Sequence, residues 1–102
     1  MQNGKILYRY TLKGNKFNVR EGVVNYTGFR FLVNFRDGGA MVRCPRAEDI
    51  GKVRAVGCSL WLTERDDTLA KKLFIQYESK KIAELQKQID KKNETIIMLM
   101  EE

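Results

Sequence analysis

The chain has 102 residues and a mass of 11.9 kDa, with 43 % hydrophobic, 10 % aromatic and 31 % charged residues, enough for one small domain with a modest core and too little for two. Nineteen Lys and Arg stand against 13 Asp and Glu, a formal charge of +6, and there is no histidine. Without imidazole there is no Ser-His or Cys-His nucleophile, no His-ligated zinc and no imidazole base.

The start, Met1-Gln2-Asn3-Gly4-Lys5, lacks an apolar export segment. The longest wholly apolar run, Ile96 to Met100, falls far short of the ~20 residues that span a bilayer. A cytoplasmic protein without a membrane anchor is expected. In that compartment Cys44 and Cys58 are expected as thiols. With no histidine and no CxxC pair they cannot build a four-ligand zinc site, so no metal or other cofactor is expected.

In chain order, Ile6, Tyr8, Tyr10 and Leu12 alternate with Leu7, Arg9 and Thr11, the period of a half-buried strand over residues 5–12. Lys13-Gly14-Asn15 supplies a turn. Phe17 to Tyr26 is a second strand, with a bulge or bend expected at Gly22. After the Thr27-Gly28 turn, Phe29, Phe31, Val33 and Phe35 alternate with Arg30, Leu32 and Asn34 in a third strand. Arg36-Asp37-Gly38-Gly39 carries an Asp-Gly hairpin signal, and Ala40 to Cys44 returns as a fourth strand that Pro45 ends. Pro45 to Gly51 is a loop or a single helical turn. Lys52 to Thr63, with Val53, Val56, Cys58, Leu60, Trp61 and Leu62, is a fifth strand. Short strands joined by short turns predict an antiparallel meander, either an open curled sheet or a small SH3-like or OB-like barrel.

From Glu64 to Glu102 there is no Gly or Pro, and helix formers dominate, which predicts one long C-terminal α-helix. The fold class is therefore α+β, with residues 1–63 as a β-domain and 64–102 as the helix. Thr63, Asp66 or Asp67 is placed to cap it. The helix carries two apolar stripes. Leu69, Leu73 and Tyr77 share one face; Ile75, Ile82, Ile89 and Ile96 recur every seven residues, with Leu85 and Leu99 three after two of them. The stripes lie on the order of 140° apart around the axis, so one sheet cannot cover both. The first turns are expected on the sheet, and Ile82, Leu85, Ile89, Ile96 and Leu99 are candidates for self-association, although Glu78 and Lys92 interrupt the second stripe. A bend near Ser79 that brings both stripes to one core is the alternative.

Charge is unevenly spread. Residues 1–63 hold 11 Lys and Arg against 4 Asp and Glu, and residues 64–102 hold 8 against 9. Arg9 and Arg30 are expected opposite the aromatic faces, with Lys16, Arg20, Arg43 and Arg54 joining them on the solvated side. Such a face suits phosphate backbones or an acidic protein, because guanidinium offers bidentate geometry and attraction independent of sequence; solubility and edge protection are the plainer reasons for it. Gly28 to Phe35 departs from the aromatic RNA-recognition signature at the residues before and between its rings, so those rings are assigned to the core. Tyr8, Tyr10, Tyr26 and Trp61 are the rings to consider for stacking on bases. The acidic pairs Asp66-Asp67 and Glu48-Asp49 are explained by helix capping and a polar turn, and no phosphate-binding glycine loop occurs.

In overall style, a basic chain of about 100 residues without histidine, a compact β-meander and one long Lys/Glu-rich helix, the protein resembles small accessory proteins of phages and mobile elements of low-GC Gram-positive bacteria, a class that includes anti-CRISPR inhibitors. With the basic sheet face and no catalytic constellation, a non-catalytic binding protein acting on nucleic acid or a nucleoprotein machine is expected; the resemblance gives its sharpest form, an inhibitor of an RNA-guided nuclease. A basic inhibitor cannot mimic phosphate, so it would grip guide RNA or an acidic patch of the effector. The alternative from another class is a structural or adaptor protein that forms a homodimer through its helix and binds an acidic partner.

Overall fold

The computed structural model describes residues 2–54 and 58–101. Strands β1 (Ile6–Lys13) and β2 (Lys16–Tyr26) form a tight hairpin in continuous register from Ile6 opposite Val23 to Lys13 opposite Lys16. Gly14, at φ +58°, takes the left-handed position that this two-residue turn demands. β3 (Phe31–Phe35) pairs with β2, and β4 (Val42–Arg43) with β3. A 3₁₀ turn over Ala47–Asp49 then carries the chain back so that β5 (Ser59–Leu62) pairs antiparallel with β1. The sheet order is β4-β3-β2-β1-β5. Among the described residues no ladder joins β4 to β5, so the curled sheet is a half-barrel rather than a closed barrel.

Three expectations change. β2 has neither break nor bulge at Gly22, which sits in register opposite both Leu7 and Phe35; the glycine is there for space, because a Cβ at this position would run into the Val33 side chain. The strand expected at 40–44 shrinks to two residues, since Gly38 and Gly39, both at positive φ, carry the chain around a wider turn. The strand expected over 52–63 begins only at Ser59, preceded by a bridge between Arg54 and Ser59. Val56 lies outside the described residues.

Directly paired antiparallel residues share a face, and both faces of this sheet carry core. On one, Leu7, Val24, Val33, Phe35 and Trp61 cluster, with Cys44 and Ile50 from the β4–β5 connection packed on them. On the other, Tyr10, Leu60 and Leu62 meet Ala70 and Phe74 of the helix. All four residues of β5 are buried, and the backbone N–H of Gly51 satisfies the carbonyl of Trp61 at 2.8 Å. Both cysteines are free, and burial pushes the Cys44 thiol up.

The helix α1 runs unbroken from Asp67 to Glu101. Asp66 caps it, its carboxylate accepting the Leu69 amide at 3.0 Å. Tyr10 fixes it to the sheet: the fully buried ring sends its hydroxyl to donate to Asp67 Oδ1 at 2.7 Å and to accept the Asp66 amide at 3.0 Å. The packed face centres on Ala70 and Phe74, with Leu73 and Tyr77 half-buried beside them; Leu69, expected on that face, is exposed. Beyond Glu78 every described residue of the helix is exposed, so the packed turns and the bare turns succeed one another in one continuous helix and the second stripe is not brought to the core. The molecule measures 66 × 30 × 22 Å with a radius of gyration of 19.1 Å, against about 13 Å for a compact chain of this length. No described helix is long and apolar enough to cross a membrane.

Candidate nucleic-acid interface

The six basic residues expected on one solvated face are distributed over two depressions and one isolated position. Arg9 lies opposite Arg20 on β2 and opposite Trp61 on β5. It stands on the face opposite Tyr8 and Tyr10, as expected, but it shares its face with Phe35 and Trp61, so that face is not the wholly solvated one expected. The physical reason is that both sheet faces are covered, so strand alternation does not divide inside from outside. One end of this face is apolar core; the hairpin end carries Arg9, Thr11, Lys13, Asn18 and Arg20 around a depression of about 560 Å³, with Asp37 its one acid. Lys16, paired with Lys13, extends the same rim.

The two facing arginines have different fates. Arg20 is fully engaged: its Nε donates to both oxygens of Asp37 at 3.1 and 3.0 Å. Its terminal nitrogen donates to Asp37 Oδ1 and to the Gly38 carbonyl, both at 2.8 Å. Its guanidinium lies 3.9 Å from the centre of the Phe35 ring. The same contact holds the Asp37 carboxyl below its usual range. Arg20 thus ties the β3–β4 turn to the sheet. Arg9 makes no ion pair among the described residues, lies 5.7 Å from the Trp61 ring, and keeps its Nε buried without an acceptor. A buried donor without an acceptor carries a desolvation cost, and the Arg20 charge across the ladder is already met by Asp37, so Arg9 is the guanidinium of this depression with a donor to spare.

The second depression, about 360 Å³, lies at the far edge of the sheet and is lined by Arg30, Phe31, Arg43, Cys44, Pro45 and Arg46, with Ala47 at its end. Arg30 was expected on a strand face; it sits instead in the turn before β3, whose closure is made by the Thr27 amide and hydroxyl donating to the Arg30 carbonyl. That turn exposes Phe29, 78 % accessible, with the Arg30 guanidinium 5.3 Å from its ring centre. Sequence reasoning missed Phe29 by extending the β3 alternation two residues too far; the turn read at Thr27-Gly28 runs on through Phe29 and Arg30 before the strand begins. Of the rings considered for stacking, Tyr10 and Trp61 are buried and Tyr8 is half-buried. Tyr26 is half-exposed, packed 4.8 Å from the Phe31 ring with its hydroxyl donating to the Gly28 carbonyl.

Arg54 stands apart and is paired with Asp49 at 2.9 Å. Arg9, Lys16, Arg30 and Arg43 are thus the expected binding residues with no carboxylate partner among the described residues. The acids near the sheet are spent on other arginines, Glu21 on Arg36 and Glu48 on Arg46. Among the described residues no group of three Cys, Asp or Glu is placed to hold a metal ion. Compared with family models, with curated proteins and with solved structures, the chain matches none.

Proposed function

We propose that the protein is a non-catalytic binding protein that grips nucleic acid, alone or within a nucleoprotein machine, through the cationic surfaces of its sheet. The observation that carries this reading is Arg9: a guanidinium held on an aromatic ring, facing a second arginine, with a buried N–H that has no acceptor among the described residues. Arg30 and Arg43 beside the exposed Phe29 ring add a patch where guanidinium groups meet phosphates and an aromatic face meets an unstacked base. The narrower form, an inhibitor that grips the guide RNA of an RNA-guided nuclease, rests on the resemblance in style and on the positive charge.

Fluorescence anisotropy with generic single- and double-stranded DNA and RNA, between about 50 and 200 mM salt, tests the reading. Binding is expected to weaken steeply with salt. Arg30→Glu and Arg43→Glu, both on exposed side chains, are expected to weaken it about tenfold or more and to flatten the salt slope by roughly one per lost phosphate contact. Phe29→Ala is expected to weaken single strands selectively, by about 1–3 kcal/mol. No binding at the lowest salt overturns the reading.

A second reading, a structural or adaptor protein that self-associates through its helix and binds an acidic protein, is favoured by one observation. Ile82, Leu85, Ile89, Ile96 and Leu99 are each more than half exposed along one seam.

A further inference from the structure

The helix leaves two apolar surfaces uncovered, one at each end. At its base a groove of about 390 Å³ opens between the helix and the β1–β2 hairpin, walled by Leu12, Phe17, Phe74, Ile75 and Ile82. At its tip the five consecutive residues Ile96 to Met100 are each more than half exposed and surround the axis on every side. A surface helix normally shows one apolar stripe, and one apolar all round is normally buried. Ile75 and Leu99 are separated by about 36 Å of unbroken helix at ~1.5 Å per residue, so one chain cannot bring its own tip to its own groove.

We propose that two copies pair antiparallel, the tip of each helix seated in the basal groove of the other. This deepens the self-association reading above and rests on it. In the register that sets Ile75 against Leu99 of the second copy, Leu85 meets Ile89 of the second copy, and the stripe is covered along its whole length. Each copy gives and receives the same contacts, so the pair is closed and does not propagate into a filament.

Charge selects the direction. The groove wall at the base carries both Lys71 and Glu78, and residues 91–101 carry Lys91 and Lys92 beside Glu94 and Glu101, so neither end is of one sign and the direction rests on the charges that lie on the seam itself. Glu78 and Lys92, the two breaks in the seam, favour antiparallel pairing. A parallel pair in register sets Glu78 against Glu78 and Lys92 against Lys92, like charges on the seam itself. The antiparallel register brings Lys92 to Ile82 of the second copy, one turn from Glu78 of that copy, within reach of a lysine whose stem packs on the isoleucine.

Sedimentation equilibrium of the full chain and of three variants tests the proposal. Ile75 and Leu99 are both exposed, so substitutions there leave the folded monomer intact, which far-UV circular dichroism checks. The wild type is expected to be a dimer. Ile75→Lys alone and Leu99→Glu alone are each expected to weaken it about tenfold or more, the scale of an interface anchor. The chain carrying both changes is expected to recover most of the loss, because antiparallel pairing sets each new lysine against a new glutamate. A wild-type dimer whose double variant is no tighter than either single variant overturns the antiparallel arrangement while leaving self-association standing. A wild-type monomer at the highest soluble concentration overturns both, and a wild-type tetramer overturns the closed pair.

Discussion

Tyr10 joins the two halves of the molecule through one hydroxyl. Its ring is fully buried, and the hydroxyl both donates to Asp67 and accepts the amide of the helix cap Asp66. Tyr10→Phe keeps the ring and removes both bonds, and it is expected to destabilise by about 1–2 kcal/mol. For a domain of this size that is a fall in melting temperature of ~4–8 °C per kcal/mol. The pH dependence follows from the same bonds. Burial first, and the Asp67 carboxylate second, push Tyr10 up to about 12 from 10.0, so the phenol's contribution is complete below pH 10 and is lost as pH rises from 10 to about 12. Asp67 is held below the ordinary carboxylate value by the Tyr10 hydroxyl and then by Arg65. Its contribution is complete above that ordinary value and is lost as pH falls through the lowered one. Thermal melts of wild type and Tyr10→Phe across both windows check this: the alkaline loss due to Tyr10 should vanish in the variant, leaving that of Tyr8, which Glu21 also raises. Gly22 is the second residue on which the fold turns. Gly22→Ala drives a methyl into Val33, with the Phe35 ring only 3.2 Å away, and is expected to cost about 1–3 kcal/mol, again read from melting temperature.

At the scale of elements, much of the fold was legible because local chemistry specifies it. Period-two alternation located β1, β2 and β3, Gly14 located the first hairpin, and the absence of Gly and Pro after Thr63 located the helix. The pairing of β5 with β1 was not legible, since it depends on how the chain returns past the 3₁₀ turn and not on anything within Ser59–Leu62. The character of the face that Arg9 occupies was misjudged for a related reason: a sheet with core on both faces hides no single set of alternate residues. The packed helix face was displaced by about one position, from Leu69 to Ala70, because the pattern weighs large side chains and the sheet here accepts a small one at close approach. The helix itself divides into a half with tertiary support and a half without. Most helical stability in proteins comes from tertiary packing, so hydrogen exchange at concentrations where the protein is monomeric should show residues 80–101 exchanging orders of magnitude faster than residues 70–78. Equal protection of both segments under those conditions would contradict the bare helix.

At the scale of the whole molecule, the half-barrel and the bare helix separate two kinds of surface. Arg9, Lys16, Arg30 and Arg43, which have no carboxylate partner among the described residues, stay on the sheet or its edge, and the uncovered aliphatic side chains lie along the helix. Substitutions on one should therefore leave the other's behaviour unchanged, because additivity holds for distant sites with no shared partners. The candidate site was half legible on this scale. The excess of base over acid in residues 1–63 is plain in composition, but which arginines are consumed by Asp37, Asp49, Glu21 and Glu48 depends on turns whose geometry local sequence does not fix. The projecting helix also governs how the molecule moves through water. A particle 66 Å long and 22 Å thick meets far more frictional drag than a sphere of the same mass, so even a lone chain travels through a sizing column ahead of globular proteins of its weight. Elution position would mimic association where there is none, and only a mass measured independently of shape can count the copies.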